Sequence, residues 1–270
     1  MDSYSEQDQF PAHDFEVDQM NEALGSLGIS LPDKCVCLDV GGARGQHAAR
    51  IAGGARSVYV IDQIPYQALD GGAYVQSLEK MHARYERNFP LDKLIFMEMD
   101  AQDILFKDHI FDFVYSINTF EHIPNPALTF DETMRVLKPG GILYIQFDPT
   151  WTSPFGHHLP NLLADPWMHL INEQADVHRL ILENGGSEND IRIYDTEMNR
   201  RRLHEYFAIF NAARLRFKFD CLTFAWWPTR QDQEPLCDHP NFAAARAAGY
   251  GVDELFVRGL RFCGRLASVK

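Results

Sequence analysis

The chain has 270 residues, with 25 Lys and Arg against 38 Asp and Glu, for a formal net charge of −13. Hydrophobic residues make up 46% and charged residues 23%, proportions of a globular chain able to bury a full core. Such acidity excludes phosphate backbones and anionic membrane surfaces as expected partners, since the only dense basic run is Arg200-Arg201-Arg202.

Residues 1–14 are acidic and polar, without the basic and apolar regions of a signal peptide, and no stretch approaches the ~20 apolar residues of a membrane span. With five scattered cysteines, this predicts a reduced, cytoplasmic setting. Apolar spacing of Phe15, Val17, Met20, Leu24 and Leu27 predicts a helix over 15–27. A strand follows over 34–40, where Cys35 and Cys37 share one face as small buried hydrophobes. It stops at the turn Gly41-Gly42-Ala43-Arg44-Gly45, and 46–51 has helical character. Further strands are expected over 57–61, ending at Asp62, over 94–98, reaching Asp100, over 111–117 and over 142–147. Helices over 74–88 and 126–137 separate them, the second broken by a turn at Lys138-Pro139-Gly140-Gly141. Residues 149–211 show helical stretches without a clear strand, and strands return over 215–224 and 260–266 after a short helix at 252–258.

Strands alternating with helices indicate an α/β, doubly wound, mostly parallel sheet. Seven strands with one antiparallel edge are expected, with a helical cap inserted after the fifth. The segments are an N-terminal helical piece (1–32), a binding core (33–148), a cap and acceptor region (149–212) and closing strands (213–270).

Ligands of such sheets bind beyond the carboxyl ends of the strands, where Gly41, Asp62, Asp100, Asn118 and Asp148 all fall. A dinucleotide fingerprint needs small residues at 41, 43 and 46, but Gln46 stands third. Spaced as Gly41, Ala43 and Gly45, the turn suits a carboxylate held by backbone N–H groups. Asp62 can accept from both hydroxyls of a ribose. Asp100 can accept from an adenine amino group while the Ala101 backbone meets a ring nitrogen. Together they describe an adenosine site without a phosphate requirement.

The blocks Val36-Cys-Leu-Asp-Val-Gly-Gly-Ala-Arg-Gly45, Asp62, Met99-Asp-Ala101, residues 111–123 and Arg135-Val-Leu-Lys-Pro-Gly-Gly-Ile-Leu143 resemble the class I S-adenosylmethionine-dependent methyltransferases, of the type 11-like group acting on small molecules. The resemblance runs over 33–148 and implies a Rossmann-like fold with S-adenosyl-L-methionine as cofactor and S-adenosyl-L-homocysteine as product. It implies that Gly41, Ala43 and Gly45 line the methionine part, with Asp39 supporting its ammonium. By the same resemblance Asp62 takes the ribose, Asp100 and Ala101 the adenine, and Asn118 presents its backbone near the sulfonium. Ala43 departs from the glycine usual there. The Glu121-His122 pair also matches the family, where it reads as scaffold.

Methyl transfer is an in-line displacement, and a hydroxyl acceptor must lose its proton. The loop 147–159 supplies Asp148, His157 and His158, and a loop histidine is the expected general base. The expectation is O-methylation of a small-molecule acceptor, and the loop's resemblance to those of methyltransferases of sugar and secondary-metabolite pathways implies an acceptor of that type. No metal is assigned; for a divalent ion as the alternative, the donors are His157, His158, Asp148, His169 and His178. Arg200-Arg201-Arg202 reads as a solvated face and the four tryptophans as packing. Two rival functions stay open: a nicotinamide-dependent oxidoreductase, and a non-catalytic subunit that binds the cofactor beside an active partner. The sequence does not indicate an oligomeric state.

Overall fold

The computed structural model describes residues 6–88, 90–229 and 236–268. One sheet contains β1 (Val36–Val40), β2 (Ser57–Asp62), β3 (Leu94–Glu98), β4 (Phe111–Ile117), β5 (Leu137–Phe147), β6 (Phe219–Pro228) and β7 (Val257–Leu266). Their order across it is β3-β2-β1-β4-β5-β7-β6. β1 to β5 pair in parallel, and β7 is antiparallel to both β5 and β6. The antiparallel strand is thus interior, not the edge the sequence suggests. Burial decides it: Leu260, Phe262 and Cys263 of β7 are fully buried, while β6 is half-buried along its length and takes the edge.

Helix α1 (Glu6–Ser26) precedes β1, α2 (Gln46–Ile51) and α3 (Ala73–Arg84) fall between successive strands from β1 to β3, and α4 (Pro126–Val136) joins β4 to β5. Beyond β5 come α5 (Met168–Ile171), α6 (Gln174–Glu183), α7 (Glu188–Thr196) and α8 (Leu203–Arg216), then α9 (Pro240–Ala247) and α10 (Val252–Phe256) before β7. Helix α4 begins where its sequence says it should. Asn125 accepts from the Leu128 N–H as N-cap, and Pro126 occupies the first turn, where no N–H is needed.

Strand alternation feeds two cores. Leu38, Val40, Ile61 and Val114 join Phe130 and Met134 of α4 and Tyr206 and Phe210 of α8 on one face. Cys37, Val58, Val60 and Phe113 join Val17, Met20 and Leu24 of α1 and Ala48 and Ala49 of α2 on the other. A third core, from Trp151 to Met198, belongs to the cap itself. Helix α8 lies on the sheet and not in that cap core.

Several local expectations shift. Helix α1 starts earlier than expected and leaves Phe15 61% exposed, because Phe15 and Val17 cannot share a helical face. Residues 1–5 of the polar start lie outside the described residues. Residues 138–141 are the opening of β5 and not a free turn. Leu137 pairs with Phe111, and a register shift follows before Ile142 pairs with Phe113. Residues 215–216 close α8, so β6 starts at Phe219 and runs on to Pro228. No helix among the described residues is long and apolar enough to cross a membrane.

Candidate active site

The turn after β1 is clamped to the loop after β4. Gly41 sits at φ 71, and a Cβ there would lie 2.0 Å from Thr119 Cγ2, so only glycine fits. Thr119 Oγ1 donates to the Gly41 carbonyl at 3.1 Å. Two residues on, Ala43 also has positive φ, 43°, and its N–H donates to Asp62 Oδ2 at 3.1 Å. The other Asp62 oxygen accepts from the Ile64 N–H at 3.0 Å. Burial raises the Asp62 pKa against the pull of these N–H groups.

Asp100 is held differently. Burial opposes its charge, but Gln102 donates from its backbone at 2.8 Å and from its side chain, and the carboxylate ends below its ordinary range. Asn118, at φ 52, donates its amide to Glu16 of α1 at 2.6 Å. Gly41, Ala43, Asp62, Asp100, Ala101 and Asn118 all open onto one cavity of about 410 Å³. Gly45 stands behind this wall at the start of α2, with the Phe96 ring against it. Asp39 lies buried beneath the turn, its pKa raised to about 7 by burial and drawn back by the His47 ring.

The acceptor side is less like the expectation. Asp148, His157 and His158 do not line this cavity. Asp148 pairs with Arg258 at 3.4 Å. His157 is buried in the cap, where its Nδ1 accepts from the Leu159 N–H at 3.1 Å and its ring meets His169 edge-on at 4.8 Å. Burial lowers its pKa to about 3, with His169 adding to the effect. His158 takes φ 63, and its ring lies 5.1 Å from His122, which does line the cavity. Burial lowers its pKa to about 3 as well.

His122, Thr196 and Glu197 complete the cavity wall, and sequence reasoning gave none of them this place. The cap reaches the site through residues 196–199. Glu197 accepts from His122 Nδ1 at 2.7 Å, and the Asn199 N–H donates to the Glu121 carbonyl at 2.8 Å. Asn199 Nδ2 donates to Phe120 and Ile123 carbonyls at 2.8 Å each. The signal was slight: the loop after β4 carries bare carbonyls that need donors, and nothing periodic marks where they come from.

The alternative metal donors His157, His158, Asp148, His169 and His178 are not assembled as a set. His169 instead bonds the Trp151 carbonyl at 2.7 Å, and His178 pairs with Asp195 at 2.9 Å. The arginine run is absorbed by the fold. Arg200 stacks on Trp151 and Tyr194, Arg201 pairs with Glu205, and Arg202 pairs with Glu254.

Residues 38–145 match the methyltransferase domain family. A sterol 4-C-methyltransferase of Caenorhabditis elegans is 27% identical over 175 residues, covering 59% of this chain and 49% of that protein. The chain spans about half the length of the curated relatives it matches. Among solved structures, phosphoethanolamine N-methyltransferase 2 of Haemonchus contortus, in complex with S-adenosyl-L-methionine, superposes with a TM-score of 0.51 at 15% identity. That match covers 93% of this chain and 53% of that one. The [4+2]-cyclase SpnF also gives 0.51, at 16% identity over 94% of this chain and 81% of its own. At such identities the structural likenesses establish the fold.

Proposed function

The chain belongs to the class I S-adenosylmethionine-dependent methyltransferases, and from that premise we propose that it methylates a hydroxyl oxygen of a small molecule of sugar or secondary-metabolite type. The observation that carries the reading is convergence. The Gly41–Ala43 turn, Asp62, Asp100 with Ala101, and Asn118 come from four strand ends and meet in one cavity of about 410 Å³, a volume suited to a nucleoside-sized ligand.

In this reading the N–H groups of the turn face the cofactor's carboxylate, and Asp39 beneath holds the turn and favours the ammonium. Asp62 and Asp100 grip ribose and adenine, and Gly45 lets α2 start close behind. The Asn118 backbone borders the sulfonium, which supplies the methyl group when the cofactor is bound. The acceptor approaches along the His122, Thr196 and Glu197 wall. Of the two loop histidines, His158 serves removal of the hydroxyl proton, since its ring reaches that wall. His157 and Asp148 support the loop. The setting is cytoplasmic, with no nucleic acid as partner.

Calorimetric titration with S-adenosylhomocysteine, with NADH as control, tests the cofactor assignment. Saturable binding is expected, weakened roughly 10–100-fold in Asp62→Ala through loss of charge-assisted hydrogen bonds. Binding of NADH in its place would sink the reading. A fold shared with a protein named a cyclase makes product detection the second arm, because methyl transfer to a hydroxyl panel must then be seen directly.

A further inference from the structure

We propose that Glu121, His122 and His158 form a binding site for a first-row divalent metal ion on the wall of the cavity. One ligand atom from each of the three can be chosen so that all lie within 4.8 Å of one another.

The case rests on unmatched acceptors. Glu121 is 1% exposed, and neither carboxylate oxygen receives a hydrogen bond from another of the described residues. His122 Nδ1 faces the Glu197 carbonyl at 2.7 Å and must carry the proton, which leaves Nε2 as a lone pair. That lone pair faces Glu121 Oε1 at 3.8 Å, too far for a hydrogen bond between them. His158 Nε2 is the third buried atom and also has no partner among the described residues. Buried polar atoms are otherwise nearly always paired, and leaving a carboxylate bare costs several kcal/mol. A cation among the three removes the conflict at once.

The surroundings have the character of a metal site. The Glu197 carbonyl fixes the tautomer and orientation of His122, as an outer partner of a ligating histidine does. Around zinc, bonds of about 2.0–2.1 Å put ligand atoms about 3.3 Å apart, so side-chain rotations of about an ångström complete the contraction. Two imidazoles and one carboxylate suit zinc or a neighbouring transition metal better than calcium. Among the described residues only three protein ligands are present, and the His122 side chain is 31% exposed toward the cavity. The open positions therefore face the acceptor, whose oxygen donors they would hold. Holding the ion uses the His158 Nε2 lone pair, so His158 then assists loss of the hydroxyl proton through the charge of the ion it holds and does not take that proton itself. This last use rests on the methyl-transfer reading; binding of the ion does not.

The test uses the full chain after chelator treatment, titrated calorimetrically with ZnCl2 and no cofactor or acceptor. Binding of an ion with micromolar affinity is expected, weakened tenfold or more in His158→Asn and in Glu121→Gln, each checked for folding by circular dichroism. Cobalt(II) gives a second readout on the unaltered chain: visible bands of a low-symmetry nitrogen–oxygen site support the assignment, and an octahedral aqua spectrum overturns it. His13, Glu16 and His47 form another candidate cluster. Zinc uptake lost in His47→Asn but kept in His158→Asn would overturn the proposal, as would no uptake at millimolar zinc. Either result leaves the S-adenosylhomocysteine titration untouched.

Discussion

At the scale of single residues, the turn after β1 holds two positions of opposite kind. Gly41 has φ 71 and no room for a Cβ, whereas Ala43 carries its methyl at φ 43. Left-handed backbone costs a residue with a Cβ about 1–2 kcal/mol relative to glycine. Ala43→Gly is therefore expected to stabilise the fold by about 1 kcal/mol, a rise of about 2–4 °C in melting temperature. It should also tighten S-adenosylhomocysteine binding, because the strained position lies on the cavity. Gly41→Ala should do the reverse and abolish binding, since the added methyl meets Thr119. Unchanged melting in both variants would show that the turn is more pliant than its dihedral angles imply.

At the scale of elements, Asn199 connects the cap to the sheet. Its amide caps two carbonyls of the loop after β4, and its backbone caps a third. Removing the amide in Asn199→Ala leaves the Ile123 carbonyl without its donor and the Phe120 carbonyl with only the Tyr206 hydroxyl at 3.3 Å, a loss of about 2 kcal/mol. Hydrogen exchange across residues 118–123 should quicken more than exchange in the strands; equal change everywhere would argue against a local clamp. This clamp was the part of the site that the sequence concealed. β1 to β4 and their polar tips were readable because parallel strands are apolar runs and the cavity-lining residues sit directly at their ends. Residues 196–199 come from about 80 positions away, and their role exists only once two loops meet. The loop histidines were visible as chemistry, but burial and backbone geometry, which no spacing reports, set His157 in the cap core and turned His158 toward His122. The interior position of β7 was hidden for a similar reason, since strand order depends on which strand buries more.

At the scale of the whole molecule, two buried groups impose opposite pH dependences on stability. His169 is buried and its pKa falls to about 4, so the unfolded chain binds its proton more tightly. Its contribution is present above pH 6.5 and is lost as pH falls toward 4, at a slope of about 1 kcal/mol per pH unit. Asp39 is the reverse. With its pKa raised to about 7, its contribution is full below about pH 4 and declines as pH rises through 7. Urea unfolding at several pH values should show the acid-side slope flatten in His169→Gln and the slope between pH 4 and 7 become steeper in its rise in Asp39→Asn. An unchanged slope in either variant would mean that the group titrates alike in both states.

The place of β7 between β5 and β6 also bears on how the chain is made. The strand that joins those two leaves the ribosome after both of them. Until then β5 exposes an unpaired edge, and β6, with its aromatic residues, has no neighbour in the sheet. β1 to β5 are complete in sequence more than 100 residues before the sheet can close. A nascent chain therefore passes through a stage in which the strand ends that form the cavity are assembled and the far edge is still open to any strand that reaches it first.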